Sequence, residues 1–128
     1  MRSRDISLKT IEGLVSWIEL NLTERMQIGD IAKKSGYSLW HFQRIFKRST
    51  GITVGEYVRA RRLTEAAKDL CGHEGKVIEV AISHGFENQQ TFTRAFKTYF
   101  GTTPHRFRRG RVLDISRFQP RIQHLKMM

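Results

Sequence analysis

The sequence is poor in the features that mark secreted, membrane-bound and redox-active chains. Cys71 is its single cysteine in 128 residues, so no intrachain disulfide can form, and we expect this side chain to act as a small apolar residue. No apolar run approaches the roughly 18 residues that span a membrane. The N-terminal stretch MRSRDISLKT lacks the apolar segment of a secretory signal. These absences predict a cytoplasmic protein without a membrane partner.

Acidic residues are scarce as well. The chain has 12 Asp and Glu against 23 Lys and Arg, a net charge of +11, and its isoelectric point near 10.5 exceeds the value of about 9 typical of nucleic-acid-binding domains. Residues 101–128 alone carry seven of these cations and one acid, Asp114. So large an excess on a short chain repels itself, which favours a polyanionic partner over the alternative of a solvated basic tail.

Recognisable catalytic and metal-binding patterns are missing too. The sequence contains no HExxH, no CxxC, no phosphate-binding loop and no carboxylate pair in a recognisable setting. Its histidines lack the spacing of metal ligands: His41, His73, His84, His105 and His124. We therefore predict that the protein is not an enzyme and holds no metal or cofactor.

The pattern of apolar residues predicts an all-α chain of about seven helices. Those of the first helix recur at steps of three and four behind Ser7 as N-cap: Leu8, Ile11, Val15, Ile18 and Leu22. Turn and capping residues divide the rest of the chain into six further helices. The second lies around Ile28–Ala32 and ends at Gly36, the third runs from Ser38 to Thr50, and the fourth runs from the Thr53–Glu56 capping box to Leu70. The fifth covers residues 77–84, the sixth runs from Asn88 to Phe100, and a short seventh follows Thr103–Pro104.

Two stretches of the chain repeat one another. IGDIAKKSGYSLWHFQRIFKRSTGITVGEYVR and VIEVAISHGFENQQTFTRAFKTYFGTTPHRFRR align with one extra residue in the second. Nine identities fall in register: Ala32, Gly36, Phe42, Arg44, Phe46, Lys47, Gly51, Thr53 and Arg59 with Ala81, Gly85, Phe92, Arg94, Phe96, Lys97, Gly101, Thr103 and Arg109. Each copy begins with a short helix, continues with a glycine that accepts positive φ and ends with a longer helix. This order predicts two helix-turn-helix units.

The longer helix of each unit has an apolar stripe and a polar stripe. Spacings of three and four residues predict that Leu39, Phe42 and Phe46 face the core from the third helix, with Ile45 beside them. The same spacings predict that Phe92, Phe96 and Tyr99 face the core from the sixth helix. The outward stripes are Trp40, Gln43, Arg44 and Lys47 in the third helix, and Gln90, Thr93, Arg94 and Lys97, with Gln89 adjacent, in the sixth.

The outward residues suit the edges of DNA bases. Arginine bonds guanine and glutamine bonds adenine through two atoms each, while threonine and tryptophan contact a thymine methyl group or a sugar. The alternative is a set of ordinary solvent-facing residues, which the recurrence on two helices disfavours. For Trp40 a half-buried packing role remains a separate alternative.

Phosphate contacts are predicted around the same helices, from Lys47, Lys97 and Arg109 and from the helix starts at Thr53 and Thr103, where backbone N–H groups can bind an anion. Three roles are possible for the arginines of the fourth helix, Arg59, Arg61 and Arg62: exposure on a solvated face, ion pairing with Glu56 and Glu65, or contact with phosphate.

At WHFQRIFK and QQTFTRAFK, with GYS, ITVGEYVRARR and GTTPHRFR around them, the chain resembles the AraC/XylS family of bacterial transcription regulators over residues 8–110, and more narrowly its small single-domain MarA/SoxS/Rob-like group. The resemblance implies subdomains at residues 7–52 and 71–110, a long linker helix at 53–70 and a basic tail at 111–128. Its base-reading positions map onto Trp40, Gln43, Arg44, Gln89, Gln90, Thr93 and Arg94. Phe42 and Phe92 replace the leucine common in relatives.

The resemblance also implies a function. Relatives bind an asymmetric promoter site as monomers and activate drug-efflux and stress-defence genes by contacting RNA polymerase. The chain has no room for a ligand domain, so we expect no small-molecule effector, and a cytoplasmic, nucleoid-associated protein. The alternative is a basic protein that binds nucleic acid without sequence choice.

If the C-terminal tail contacts phosphates, deletion of residues 112–128 should weaken DNA binding and flatten its dependence on salt, because fewer cations would neutralise phosphates. Binding titrations over a range of salt concentrations measure that slope. An unchanged slope would exclude phosphate contacts by the tail.

Overall fold

The computed structural model of the protein describes residues 2–24, 27–72, 75–110 and 116–122. Within these ranges the chain is all-helical, as predicted, and none of the helices is both long and apolar enough to cross a membrane. The helices are α1 (Arg2–Leu20), α2 (Ile28–Ser35), α3 (Leu39–Thr50), α4 (Val54–Gly72), α5 (Val77–Ser83), α6 (Gln89–Phe100) and α7 (Pro104–Arg109).

Two predicted helix ends are wrong. Ser7 lies inside α1, which begins at Arg2, because no glycine or proline interrupts the chain between these residues and a serine is tolerated within a helix. α4 continues through Cys71 to Gly72, two residues beyond the predicted end. The other predicted starts hold: Ser38, Asn88 and Thr103 each cap the helix that follows them.

The chain forms two compact units that share α4. The first contains α1, α2, α3 and the start of α4 through Val58, together with Arg121 and Ile122. The second contains Leu22–Glu24, α4 from Arg59 onward, α5, α6, α7 and residues 116–120. Each unit therefore carries one complete helix-turn-helix.

The core of the first unit is built where α1 and α3 present their apolar stripes. Phe42 and Phe46 are fully buried, with ring centroids 5.9 Å apart, and Tyr57 of α4 lies 6.0 Å from Phe46. The Tyr57 hydroxyl donates to the Glu19 carboxylate at 3.0 Å. Leu39 was expected in this core, but 46% of it is exposed, because the side chain of the first helical residue tilts back past the start of the helix.

The core of the second unit is an aromatic cluster that covers one face of α4. Phe96 is its centre, with ring centroids 5.5 Å from Phe92, 4.6 Å from Phe100 and 5.3 Å from Phe107. The α4 face beneath it consists of small and branched residues: Leu63, Ala66, Ala67 and Leu70. Tyr99, which was expected in the core, is only partly buried at its edge.

The described part of the C-terminal segment is not a solvated tail. Phe118 lies 5.9 Å from the ring of Phe100 and packs against the second core. The Gln119 backbone N–H donates to the Thr64 hydroxyl, and Arg61 donates to the Gln119 carbonyl, both at 2.9 Å. Residues 111–115 and 123–128 of the predicted tail lie outside the described residues.

The three arginines of α4 have separate environments. Arg59 is exposed, whereas Arg61 is buried and forms an ion pair with Glu65 at 3.0 Å, as one alternative predicted. Arg62 follows none of the alternatives: its guanidinium donates to the backbone carbonyls of Leu22 at 2.7 Å and Glu24 at 2.6 Å. Burial lowers the pKa of Arg62, and these carbonyl acceptors stabilise the charge that burial disfavours.

Phe46→Ala and Phe96→Ala should each reduce the free energy of unfolding by about 3–5 kcal/mol, because each leaves a cavity in a fully packed core. Urea unfolding measures this loss. Leu39→Ala is the matched control, and it should cost less than about 1 kcal/mol because nearly half of the side chain is already exposed. Equal losses in all three variants would contradict this assignment of the cores.

Gly85→Ala should destabilise the protein more than Gly36→Ala. Both glycines have positive φ, 86° and 80°, which costs an alanine roughly 1–2 kcal/mol. A Cβ on Gly85 would also lie 3.0 Å from Nε of Arg62, whereas a Cβ on Gly36 meets nothing within 4 Å. Urea unfolding of the two variants measures the difference, and equal costs would exclude a role for the Arg62 contact.

Candidate nucleic-acid interface

The longer helix of each unit, α3 or α6, is called its recognition helix, and each begins at a side-chain cap and ends at a glycine with positive φ, Gly51 or Gly101. The Ser38 hydroxyl accepts the N–H of His41 at 3.2 Å, and the Asn88 side chain accepts the N–H of Thr91 at 2.8 Å. These caps satisfy N–H groups that would otherwise lack partners at the start of α3 and α6. The extra residue of the second copy lies between Gly85 and Asn88, where the turn is one residue longer than between Gly36 and Ser38.

The outward stripe of α3 is exposed as predicted. Gln43, Arg44 and Lys47 are all exposed on the face opposite the buried Phe42 and Phe46. A position opposite the core leaves polar atoms available to an external partner. Two shallow depressions flank this stripe, one lined by Ser38, Trp40, His41, Arg44, Ile45 and Arg48, the other by Trp40, Gln43, Arg44, Lys47 and Arg48.

Trp40 is not the half-buried packing residue of the alternative interpretation. Its exposed fraction is 64%, and its ring contacts the side chain one turn further along the helix. The Cζ atom of Arg44 lies 4.7 Å from the centroid of the Trp40 ring. This separation is within the range of a cation–π interaction.

Sequence reasoning did not single out Arg48 as part of this surface. Arg48 is exposed, follows Arg44 by four residues and lines both depressions. The i to i+4 spacing from Arg44 is the signal that could have found it. His41 is exposed as well, and its ring lies 4.9 Å from that of Tyr37.

The outward stripe of α6 is also exposed. Gln89, Gln90, Arg94 and Lys97 are exposed and Thr93 is partly buried. The buried face of the helix is again a phenylalanine pair four residues apart, Phe92 and Phe96. The structure thus brings each set of predicted base-reading residues onto one exposed helix face within its own unit.

The two helix starts proposed for phosphate binding differ in charge. Thr53 and Thr103 both use their hydroxyls as caps, accepting the N–H of Glu56 at 3.1 Å and of Arg106 at 3.2 Å. The third residue after the cap is therefore an acid in α4 and a cation in α7. The Glu56 carboxylate would repel an anion and Arg106 would attract one, so the two helix starts differ in their electrostatics. Arg109, at the end of α7, is exposed.

No group of three His, Cys, Asp or Glu side chains that could hold a metal is found in the described parts of the chain. Two such side chains do form a pair: Nε2 of His84 and Oδ2 of Asp69 lie 2.9 Å apart. This pair joins the turn of the second unit to α4.

Thr53→Val should raise the pKa of the Glu56 carboxyl. The hydroxyl and backbone N–H of Thr53 bond this carboxylate at 2.8 and 3.3 Å, and these bonds hold its pKa below the ordinary value. A depressed carboxyl pKa adds stability above the ordinary pKa, and this stability is lost as the pH falls through the lowered value. NMR titration of the carboxyl carbon measures the shift. Thr103→Val is the control, because no acid follows Thr103 at that spacing, and it should leave the Glu56 pKa unchanged.

Comparison with known families and proteins agrees with this architecture. The family profile described as a helix-turn-helix domain matches residues 31–110, from α2 through α7. MarA, the multiple antibiotic resistance protein of Escherichia coli strain K12, is 40% identical over 124 residues, which cover 97% of this chain and 98% of MarA. AarP of Providencia stuartii, described as a helix-turn-helix-type transcriptional activator, is 45% identical over 98 residues that cover 77% of this chain and 73% of AarP.

A solved structure shares the fold. The DNA-binding domain of AdpA, a global transcriptional factor crystallised with a target DNA, matches 78% of this chain and 90% of its own length with a TM-score of 0.75 at 24% identity. This likeness concerns the fold alone. Family profile and sequence identity together show that the chain belongs to the AraC/XylS family of helix-turn-helix proteins, in the group that contains MarA.

Proposed function

We propose that the protein is a sequence-specific DNA-binding transcriptional activator that reads two adjacent major-groove segments as a monomer. One observation carries this proposal. Each helix-turn-helix unit exposes a stripe of base-bonding residues on its second helix, directly opposite a buried phenylalanine pair. A helix held by its apolar face against a core, with amide and guanidinium groups on the other face, suits insertion into a major groove.

The two central arginines of these stripes are available for bases. Within the described residues neither Arg44 nor Arg94 is paired with a carboxylate, unlike Arg61 with Glu65. A guanidinium that is exposed and not committed to an acid can bond O6 and N7 of guanine together. We assign base reading to Trp40, Gln43 and Arg44 in α3 and to Gln89, Gln90, Thr93 and Arg94 in α6.

Phosphate contacts would surround these base-reading residues. Lys47 and Lys97 occupy equivalent exposed positions one turn beyond Arg44 and Arg94. Arg48 and Arg109 add exposed cations in their respective units, and Thr103 begins a helix without an acid in its first turn. Such contacts set the position on the duplex without reading its sequence.

Activation and the genes concerned are proposed from the relatives. AarP is described as an activator and MarA as a multiple antibiotic resistance protein, and MarA aligns with almost the whole chain. We assign the protein to activation of drug-efflux or stress-defence genes through contact with RNA polymerase. Transcription in vitro with purified polymerase, from a promoter that carries the selected site, should increase on addition of the protein. A decrease would make it a repressor.

Selection of bound sequences from a random duplex library, followed by footprinting and competition, tests the DNA-reading proposal. The selected site should be asymmetric, and footprinting should show two protected major-groove segments. The protein should prefer this site over random duplex by at least about a thousandfold. A preference near one would instead indicate a basic protein without sequence choice, which the net charge of +11 would also allow.

Arg44→Ala and Arg94→Ala should each weaken binding to the selected site by about 1–3 kcal/mol and relax choice at a single base pair, which differs between the two variants. Repeating the selection with each variant measures both effects. Arg59→Ala is the matched control, since it removes one exposed cation from α4 outside either stripe. Equal losses on selected and random DNA in all three variants would show that these arginines contact phosphates only.

A further inference from the structure

We propose that Trp40 is a positioning residue for Arg44, and that the first unit therefore reads its base pair with a side chain already held in place before DNA binds. This inference rests on the proposed function and specifies how one of the two reading faces works. The second face lacks the corresponding device. The two units then differ in how strongly each prefers one base pair over the others, as well as in the residues they present.

The contact joins two side chains one helical turn apart on the outward face of α3. The Cζ atom of Arg44 lies 4.7 Å from the centroid of the Trp40 ring, and 64% of Trp40 is exposed. The ring is thus not held in place by burial in the core. An indole face attracts a guanidinium more strongly than any other aromatic side chain does, and i to i+4 spacing brings the two groups together on a helix.

The duplication supplies an internal comparison. Arg94 is the counterpart of Arg44, and Gln90 stands where the first copy has Trp40. The cation–ring contacts among the described residues involve Lys34, Arg44, Lys68 and Arg117, and Arg94 is not among them. Two arginines at the same position of the same scaffold therefore differ in whether an aromatic face restrains them.

Restraint of an arginine matters for base reading. A free guanidinium samples many rotamers, and ordering them on binding opposes the two-atom bond to guanine. A guanidinium held over a ring has already lost much of this freedom, and the Arg44 side chain as a whole stays exposed to a partner. Trp40 therefore acts on the choice of base pair through Arg44, besides any contact of its own with DNA.

A double-mutant cycle tests this inference on the full chain. The base pair read by Arg44 is first identified as the one at which Arg44→Ala loses preference. Trp40→Leu should lower the preference at that base pair by about threefold to thirtyfold, the range of a cation–π contact. In the Arg44→Ala background Trp40→Leu should leave the preference at that base pair unchanged. Trp40→Phe, which keeps an aromatic face, should restore most of the preference.

Gln90→Leu with Arg94→Ala is the matched control cycle. Their effects on the base pair read by Arg94 should be independent, since no ring restrains that arginine. If Trp40→Leu has the same effect with and without Arg44, or if the control pair couples equally, Trp40 does not position Arg44 and the inference is wrong. Circular dichroism of each variant excludes general unfolding.

Order of the Arg44 side chain in the free protein separates this inference from the proposed function. NMR relaxation of the Nε–H groups should show Arg44 more ordered than Arg94, and Trp40→Leu should remove the difference. Equal order in the two arginines would overturn the inference even if DNA is read as proposed. A clear difference in order, together with no preferred DNA sequence, would instead refute the proposed function and with it any effect of the stack on base choice.

Discussion

Burial of a phenylalanine pair on each recognition helix is the constraint on which the rest of the structure depends. Phe42 with Phe46 in α3 and Phe92 with Phe96 in α6 are fully buried four residues apart, so each pair fixes one face of its helix against a core. The opposite face must then point outward, whatever residues it carries. This constraint explains how the same scaffold can present Trp40 and Gln43 in one unit and Gln90 and Thr93 in the other.

Duplication preserved the scaffold and let the exposed positions diverge. Helix caps, turn glycines and buried rings recur in both copies, since each satisfies a local requirement of backbone or packing. Charge and shape at the surface differ, as the first-turn residues Glu56 and Arg106 show. A phosphate near α7 would meet a cation where one near α4 would meet a carboxylate. Two unequal reading faces match an asymmetric binding site better than a symmetric one.

The C-terminal segment and Arg62 show how residues far apart in the chain support this arrangement. Phe118 extends the aromatic cluster around Phe100, and Gln119 bonds to α4 through Thr64. Arg62 binds the carbonyls of Leu22 and Glu24 while packing beside the turn at Gly85. Part of the positive charge that suggested a nucleic-acid partner therefore serves the fold itself, in the second unit through Arg61 and Arg62.

The sequence by itself determined the features that depend on near neighbours: helix caps, the 3.6-residue period, the two helix-turn-helix units and the outward stripes. Only the tertiary structure decided which of these residues meet distant partners. It placed Arg62 on the carbonyls of Leu22 and Glu24 and packed Phe118 into the core of the second unit. The physical reason is range. A cap or a period is a property of residues a few positions apart, whereas the Arg62 bonds join residues 38 and 40 positions apart and exist only once the chain has folded.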